Sequence, residues 1–287
     1  MRRLHLAAAV FVAIVWGCNF VVIDIGLRQF PPLLFAALRF TFVAVPAVFF
    51  VPRPKVKLRW LVAVGLCLGA GQFGLLFSGL YLGMPAGLAS LVMQAQAMFT
   101  LVFAAILLRE PVHARLVIGT VVASAGLVAI GLGSSESVPV GALLLVVGGA
   151  ASWGLGNVCT RLARAPAGLG LVVWSGLVSP LPLLALSLAV EGPARDLTAL
   201  TTFGLTSVLA LAYVVVGSSL VGYGIWLSLI SRYAPGRVAP ISLLAPVAGM
   251  LTAWLAFGER PGLPELAGGL VVLGGLALIL WPERAPG

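Results

Sequence analysis

Charge is the scarcest commodity in this chain. Of 287 residues only 9% are charged, eight of them acidic and seventeen basic. A soluble domain carries about 25% charged residues to cover its water-facing surface. So small a supply, with 61% hydrophobic residues and a mean hydropathy of +1.15, excludes an ordinary soluble globule. It implies a protein that crosses a membrane many times. Lysine is nearly missing, with two against fifteen arginines. That bias, beside abundant Ala and Gly, fits a GC-rich bacterial genome.

Histidine is equally rare. His5 and His113 are the only two, and both stand at edges of apolar runs. There is no HExxH, no Gly-rich phosphate loop and no cluster of carboxylates. A hydrolase buried in the membrane would have no base beside its nucleophile. The sequence therefore implies no enzyme, no metal and no cofactor. Cys18, Cys67 and Cys159 are odd in number and scattered through apolar runs. They read as small free hydrophobes, not a disulfide framework.

What the chain has is apolar length. A helix needs about 20 apolar residues to cross a bilayer. Ten runs qualify, at 4–27, 32–51, 58–81, 85–107, 114–132, 139–163, 168–190, 203–231, 235–257 and 264–281. The first is too long for a signal-peptide core and reads as an uncleaved span. The runs are too continuous for barrel strands, so the expected class is all-α. The loops between them leave no room for a soluble domain.

The basic residues sort by side. With the N-terminus inside, thirteen fall on the cytoplasmic face and only Arg28, Arg195 and Arg260 outside, while Arg39 lies within the second run. This asymmetry places both termini in the cytoplasm. It also explains the net charge of +9 without invoking nucleic acid. The expected partners are the lipid bilayer and a small molecule, with the protein a monomer.

The chain echoes itself. "VIGTVVASAGLVAI" (117–130) aligns with "LAGGLVVLGGLALI" (266–279), so that Gly119 and Gly126 match Gly268 and Gly275. Glu110 then matches Glu259, and "WGCN" (16–19) echoes "WGLGN" (153–157). Two five-helix repeats follow, residues 1–137 and 138–287. Five is odd, so the second repeat enters the membrane from the opposite side, an arrangement typical of secondary transporters.

The stretches "WGCNFVV", "PPLLFAALRF", "MPAGLASLVMQAQAMFT", "VGYGIW" and "RVAPISLLAPVAGM" resemble the EamA family of the drug/metabolite transporter superfamily. The likeness runs over nearly the whole chain and is strongest to bacterial amino-acid-metabolite exporters of the cysteine and O-acetylserine type. An aromatic-amino-acid exporter branch is similar. The resemblance implies ten spans, cytoplasmic termini, an inner-membrane location and a central cavity built by spans 1, 3, 4, 6, 8 and 9. It implies export of amino acids or related metabolites. A channel or a carrier of drugs or other metabolites is the alternative, but a channel needs a polar filter or charge ring that the sequence does not show.

A carrier for zwitterions wants amides, hydroxyls and indole N–H groups, which bind weakly and release. The candidates are Trp16 and Asn19 on span 1, Gln72 on span 3, and Ser90, Gln94 and Gln96 on span 4. Trp153 and Asn157 on span 6, Ser219, Tyr223 and Trp226 on span 8, and Ser242 on span 9 complete the set. Each has a plainer alternative as interhelical glue. Asp24 and Arg39 are charges inside spans and read as a clamp or outer gate, and Pro240 and Pro246 as a bent wall or gate. Small multidrug carriers of the superfamily exchange protons on a membrane-buried Glu. Every Glu here lies away from the span centres, which favours efflux down the substrate gradient.

Overall fold

The computed structural model of the protein describes residues 2–110, 114–133, 138–164, 169–233, 241–242 and 244–280. Among these residues the structure is helical, with no strand. In chain order the apolar helices are α1 (Arg3–Leu27), α2 (Pro32–Val48), α3 (Leu58–Tyr81), α4 (Ala86–Leu107), α5 (Ala114–Ile130), α6 (Val140–Ala163), α7 (Gly170–Glu191), α8 (Leu205–Trp226, helical on to Arg232), α9 (Leu244–Phe257) and α10 (Leu263–Leu278). Six of them, α1, α3, α4, α6, α7 and α8, are long and apolar enough to cross a membrane. The other four are shorter. Pro240 lies outside the described residues.

Local chemistry sets the ends. Pro32 opens α2, where a missing N–H costs nothing. Gly83 closes α3 at φ +98°, while Met84 N–H bonds back to Gly79 O at 3.0 Å. One helix was not expected from hydropathy. Pro193–Thr202 joins α7 to α8 and is too polar for a span.

The outer surface carries large side chains such as Phe49, Phe50, Leu181 and Leu205, all more than 70% exposed. Backbone groups are satisfied within helices, so this is a surface that hydrocarbon can cover. The interior is held by small residues that let backbones approach. A Cβ added at Gly17 would lie 2.5 Å from Ala245 O and 2.8 Å from Gly249 N, so α1 is pressed onto α9. One added at Gly154 would lie 2.7 Å from Phe99 Cβ and from Thr100 N, so α6 is pressed onto α4. Gly17 and Gly154 are the glycines of the two tryptophan echoes. The first helix of each half therefore rests on the fourth helix of the other.

The pair α5 and α10 behaves alike. A Cβ at Gly126 would meet Gly268 O at 2.6 Å, and one at Gly275 would meet Gly119 O at 2.6 Å. Numbers rise along one helix as they fall along the other, so the two run antiparallel. Exchanging each glycine for its echo turns one contact into the other. Helices α2 and α7 pack together, as do α4 and α9.

Candidate functional site

Three helices carry turns wound more loosely than an α-helix, α7 at Ser187–Glu191 and two others that flank the bundle interior. Residues Gly65–Gly71 of α3 and Tyr213–Gly222 of α8 form π-helical turns, and the offset that carries Glu110 onto Glu259 brings the first segment inside the second. Such turns free carbonyls and redirect side chains, and they concentrate at functional sites. In α8 the freed geometry is used at once. Ser219 Oγ donates to Val214 O at 2.7 Å, five residues back.

An aromatic cluster forms where α1 meets α8. The Trp16 indole N–H donates to Ser218 O at 3.2 Å. The Trp16 ring sits 5.3 Å from Tyr223 and 5.2 Å from Trp226. A Cβ at Gly222 would stand 2.8 Å from Trp16 Nε1, so the glycine makes room for the indole. Toward the start of α1 a cavity of about 340 Å³ opens, bounded in part by Ala8, Gly224, Ile225 and Leu229, with His5 and Arg232 at its rim. His5 Nδ1 lies 2.6 Å from the Tyr233 hydroxyl there.

Deeper in the same helix group lie three buried polar residues. Asn19, Gln72 and Arg39 are 7%, 5% and 2% exposed. The Asn19 Oδ1 and Gln72 Oε1 acceptors and the Arg39 Nη1 donor have no hydrogen-bond partner among the described residues. Arg39 Nε and Nη2 both donate to Ser219 Oγ, at 3.2 and 3.1 Å. Its guanidinium also lies 4.0 Å from the centre of the Phe73 ring. Asp24 does not pair with Arg39. It reaches Arg28 one turn on, at 3.7 Å.

The remaining candidates gather on α4, α6 and the start of α9. Ser90 Oγ lies 2.6 Å from Gly87 O and 3.4 Å from the carbonyl of Pro246, so its proton is committed to backbone. Gln94 sits in a 3₁₀ turn, Met93–Ala95, half-buried. Gln96 follows, also half-buried, and neither amide makes a hydrogen bond among the described residues. Asn157 Nδ2 donates to Thr100 Oγ1 at 3.1 Å, which ties α6 to α4. Trp153, half-buried, stands one turn away from Asn157. Pro246 is buried inside α9, and Ser242 is half-buried at 241–242 just ahead of it. Helix α3 bridges the two groups, since a Cβ at Gly149 of α6 would lie 3.1 Å from Gln72 O.

Hydropathy did not single out the carboxylates that cap helices. Glu191, at the end of α7, accepts from the N–H groups of Leu33 and Leu34 at 2.8 and 3.2 Å, at the start of α2. Glu259, just past α9, accepts from Ala86 and Gly87 at 3.1 and 3.0 Å, at the start of α4. Orphan N–H groups and the positive helix end favour an anion at both places. The only sequence signal is a lone acid at the edge of an apolar run. Glu110 instead pairs with Arg161, and that hydrogen bond holds its carboxyl below the ordinary carboxylate value.

The site thus offers amides, hydroxyls, aromatic faces and one guanidinium.

The EamA-like transporter family model matches the chain twice, over residues 4–132 and 140–281. A protein of Salmonella typhimurium named a probable amino-acid metabolite efflux pump is 42% identical over 99% of this chain and 97% of its own length. The Escherichia coli K12 protein of the same name is 41% identical over the same shares. The uncharacterized inner membrane transporter YedA of Escherichia coli K12 is 27% identical over 94% and 89%. A crystal structure of a protein 21% identical superposes with a TM-score of 0.60 over 97% of each chain, which shows the shared fold. With its duplicated match and its apolar helices, this chain is a multi-pass membrane transporter and belongs to the EamA-like transporter family.

Proposed function

We propose that the protein exports neutral amino acids or related metabolites across the bacterial inner membrane. It does so by alternating access between two inverted five-helix halves, residues 1–137 and 138–287, around a central cavity, with both termini cytoplasmic. The observation that carries this reading is the set of polar and aromatic groups at mid-helix: Trp16, Asn19, Gln72, Gln94, Trp153, Asn157, Tyr223 and Trp226. The names of the Salmonella typhimurium and Escherichia coli K12 relatives at 42% and 41% identity support the substrate class. The reciprocal crossings of α1 on α9 and α6 on α4, and the antiparallel glycines of α5 and α10, support the inversion. A ligand that touches both halves can be handed from one face to the other by rocking them.

Purified protein in liposomes loaded with labelled neutral amino acids tests the function. Saturable counterflow is expected, and its absence for the whole panel rejects the proposal. Unitary currents would favour a channel. Efflux runs down the substrate gradient, since no described Glu stands at mid-helix. Uphill movement driven by an imposed pH gradient, and abolished by Asp24→Asn, would overturn that coupling. Reporter fusions after Gly287 and within 191–202 should read cytoplasmic and periplasmic in turn, and the reverse result refutes the orientation.

A further inference from the structure

Arg39 stands midway along α2, 2% exposed, and no carboxylate reaches it among the described residues. Every described acid is engaged elsewhere. Asp24 is on Arg28 and Glu110 on Arg161. Glu191 caps α2 and Glu259 caps α4. Asp196 accepts from Ser187, and Glu265 from the Gly262 N–H. A buried cation without a counter-ion is among the costliest arrangements a membrane protein holds, and such residues face cavities or ligand paths. Two of its nitrogens share one hydroxyl, Phe73 faces the guanidinium plane, and Nη1 is left with nothing.

On the neighbouring helices α1 and α3 the mismatch has the opposite sign. Asn19 Oδ1 and Gln72 Oε1 are buried acceptors with no donor among the described residues. One spare donor on a cation and two spare acceptors on amides match in kind the groups of a molecule bearing both a carboxylate and an ammonium.

We infer that Arg39 is the carboxylate anchor of the exported molecule, with Asn19 and Gln72 as acceptors for its ammonium. This rests on the amino-acid reading of the site and names the group that selects the substrate class. Ser219 and Phe73 keep the anchor from becoming a trap. Each takes part of the guanidinium's bonding capacity, so the carboxylate is left Nη1 alone and is held by few enough bonds to be released.

Two measurements on detergent-purified protein and proteoliposomes test the inference. In counterflow, the wild type should carry an amino acid and discriminate against its carboxamide, which lacks the carboxylate. Arg39→Gln should raise the half-saturation concentration for the acid by roughly 10- to 150-fold, the loss of one charged hydrogen bond, and erase the discrimination. Arg39→Lys keeps the charge, loses the planar fork, and should retain discrimination at weaker affinity. The second readout needs no transport. Acetate should shift the intrinsic tryptophan fluorescence or raise the unfolding temperature of wild type and Arg39→Lys, but not of Arg39→Gln. If no amino acid is carried yet acetate acts through Arg39, the anchor stands and the substrate reading falls. If the amino acid is carried but Arg39→Gln still discriminates with an unchanged half-saturation concentration, or, should glutamine not fold, Arg39→Lys keeps the wild-type half-saturation concentration for the acid, and acetate does nothing, Arg39 is scaffold and the inference is overturned.

Discussion

Two adjacent glycines of α10 should respond to the same substitution with opposite signs. Gly274 has open space where a Cβ would go. Gly275 would place that carbon 2.6 Å from Gly119 O and 2.6 Å from Ala123 N, both backbone atoms of α5. Alanine favours a helix interior over glycine by about 0.8–1.0 kcal/mol. At Gly274 nothing opposes this gain, so Gly274→Ala should stabilise by up to about that amount. At Gly275 the backbones must part by nearly an ångström to restore a normal contact. Overpacking of this kind costs about 1–3 kcal/mol, which exceeds the propensity gain and leaves a net loss of up to about 2 kcal/mol. Gly126→Ala, the echo position, meets Gly268 O at the same 2.6 Å and should lose the same amount. Thermal or denaturant unfolding in one detergent, followed by tryptophan fluorescence, ranks the three variants against wild type. A Gly275→Ala protein as stable as Gly274→Ala would refute the close crossing. Unequal losses at Gly126 and Gly275 would refute the equivalence of the two contacts.

Further substitutions separate ligand contacts from scaffold. Gln94→Ala removes no hydrogen bond between described residues, so unfolding should be unchanged while substrate affinity falls about 2- to 13-fold, for about 0.5–1.5 kcal/mol; lost stability with kept affinity would return Gln94 to the scaffold. Glu259→Ala strips two N–H groups at the start of α4 of their acceptor and should destabilise by about 1–3 kcal/mol, with amide exchange at Ala86 and Gly87 the local check. The Glu110 carboxyl is held below its ordinary value of 4.5 by its hydrogen bond to Arg161. Its contribution to stability should be full above that value and fade as pH falls through the lowered one. Glu110→Gln should flatten that part of the pH–stability curve, and an unchanged curve would show the pair to be silent.

Much of the fold is legible because hydrophobic length is a one-dimensional signal. The runs at 4–27, 58–81, 85–107 and 139–163 become Arg3–Leu27, Leu58–Tyr81, Ala86–Leu107 and Val140–Ala163 within a residue or so. Polar composition hides the helix Pro193–Thr202, which buries one side, including Asp196 and Ala199. Winding is invisible as well. Nothing in hydropathy distinguishes the π turns of α3 and α8 from α-helix, nor shows the close approach of Gly69 to Ser179. The sequence offers candidate residues as types at depth, and not their partnerships. Sequence proximity suggests Asp24 for Arg39, whereas folding brings Ser219 from 180 residues away. Asn157 and Gln94 look alike on the page, yet one is bonded to Thr100 and the other is unbonded among the described residues.

The single guanidinium on α2 bears on how such a chain arises. Helices α2 and α7 pack together at corresponding places in the two halves, and α7 contains no basic residue. Had the bundle been assembled from two copies of one short polypeptide inserted in opposite senses, every side chain would be present twice. Two uncompensated cations would then share one interior, at twice the desolvation penalty and with mutual repulsion. Joining the halves in one reading frame removes that constraint. One half keeps an arginine on α2 while α7 of the other has no basic residue, so in the proposed arrangement one wall is charged and the other neutral. An asymmetric molecule, carrying its carboxylate at one end only, then has one preferred way to lie inside.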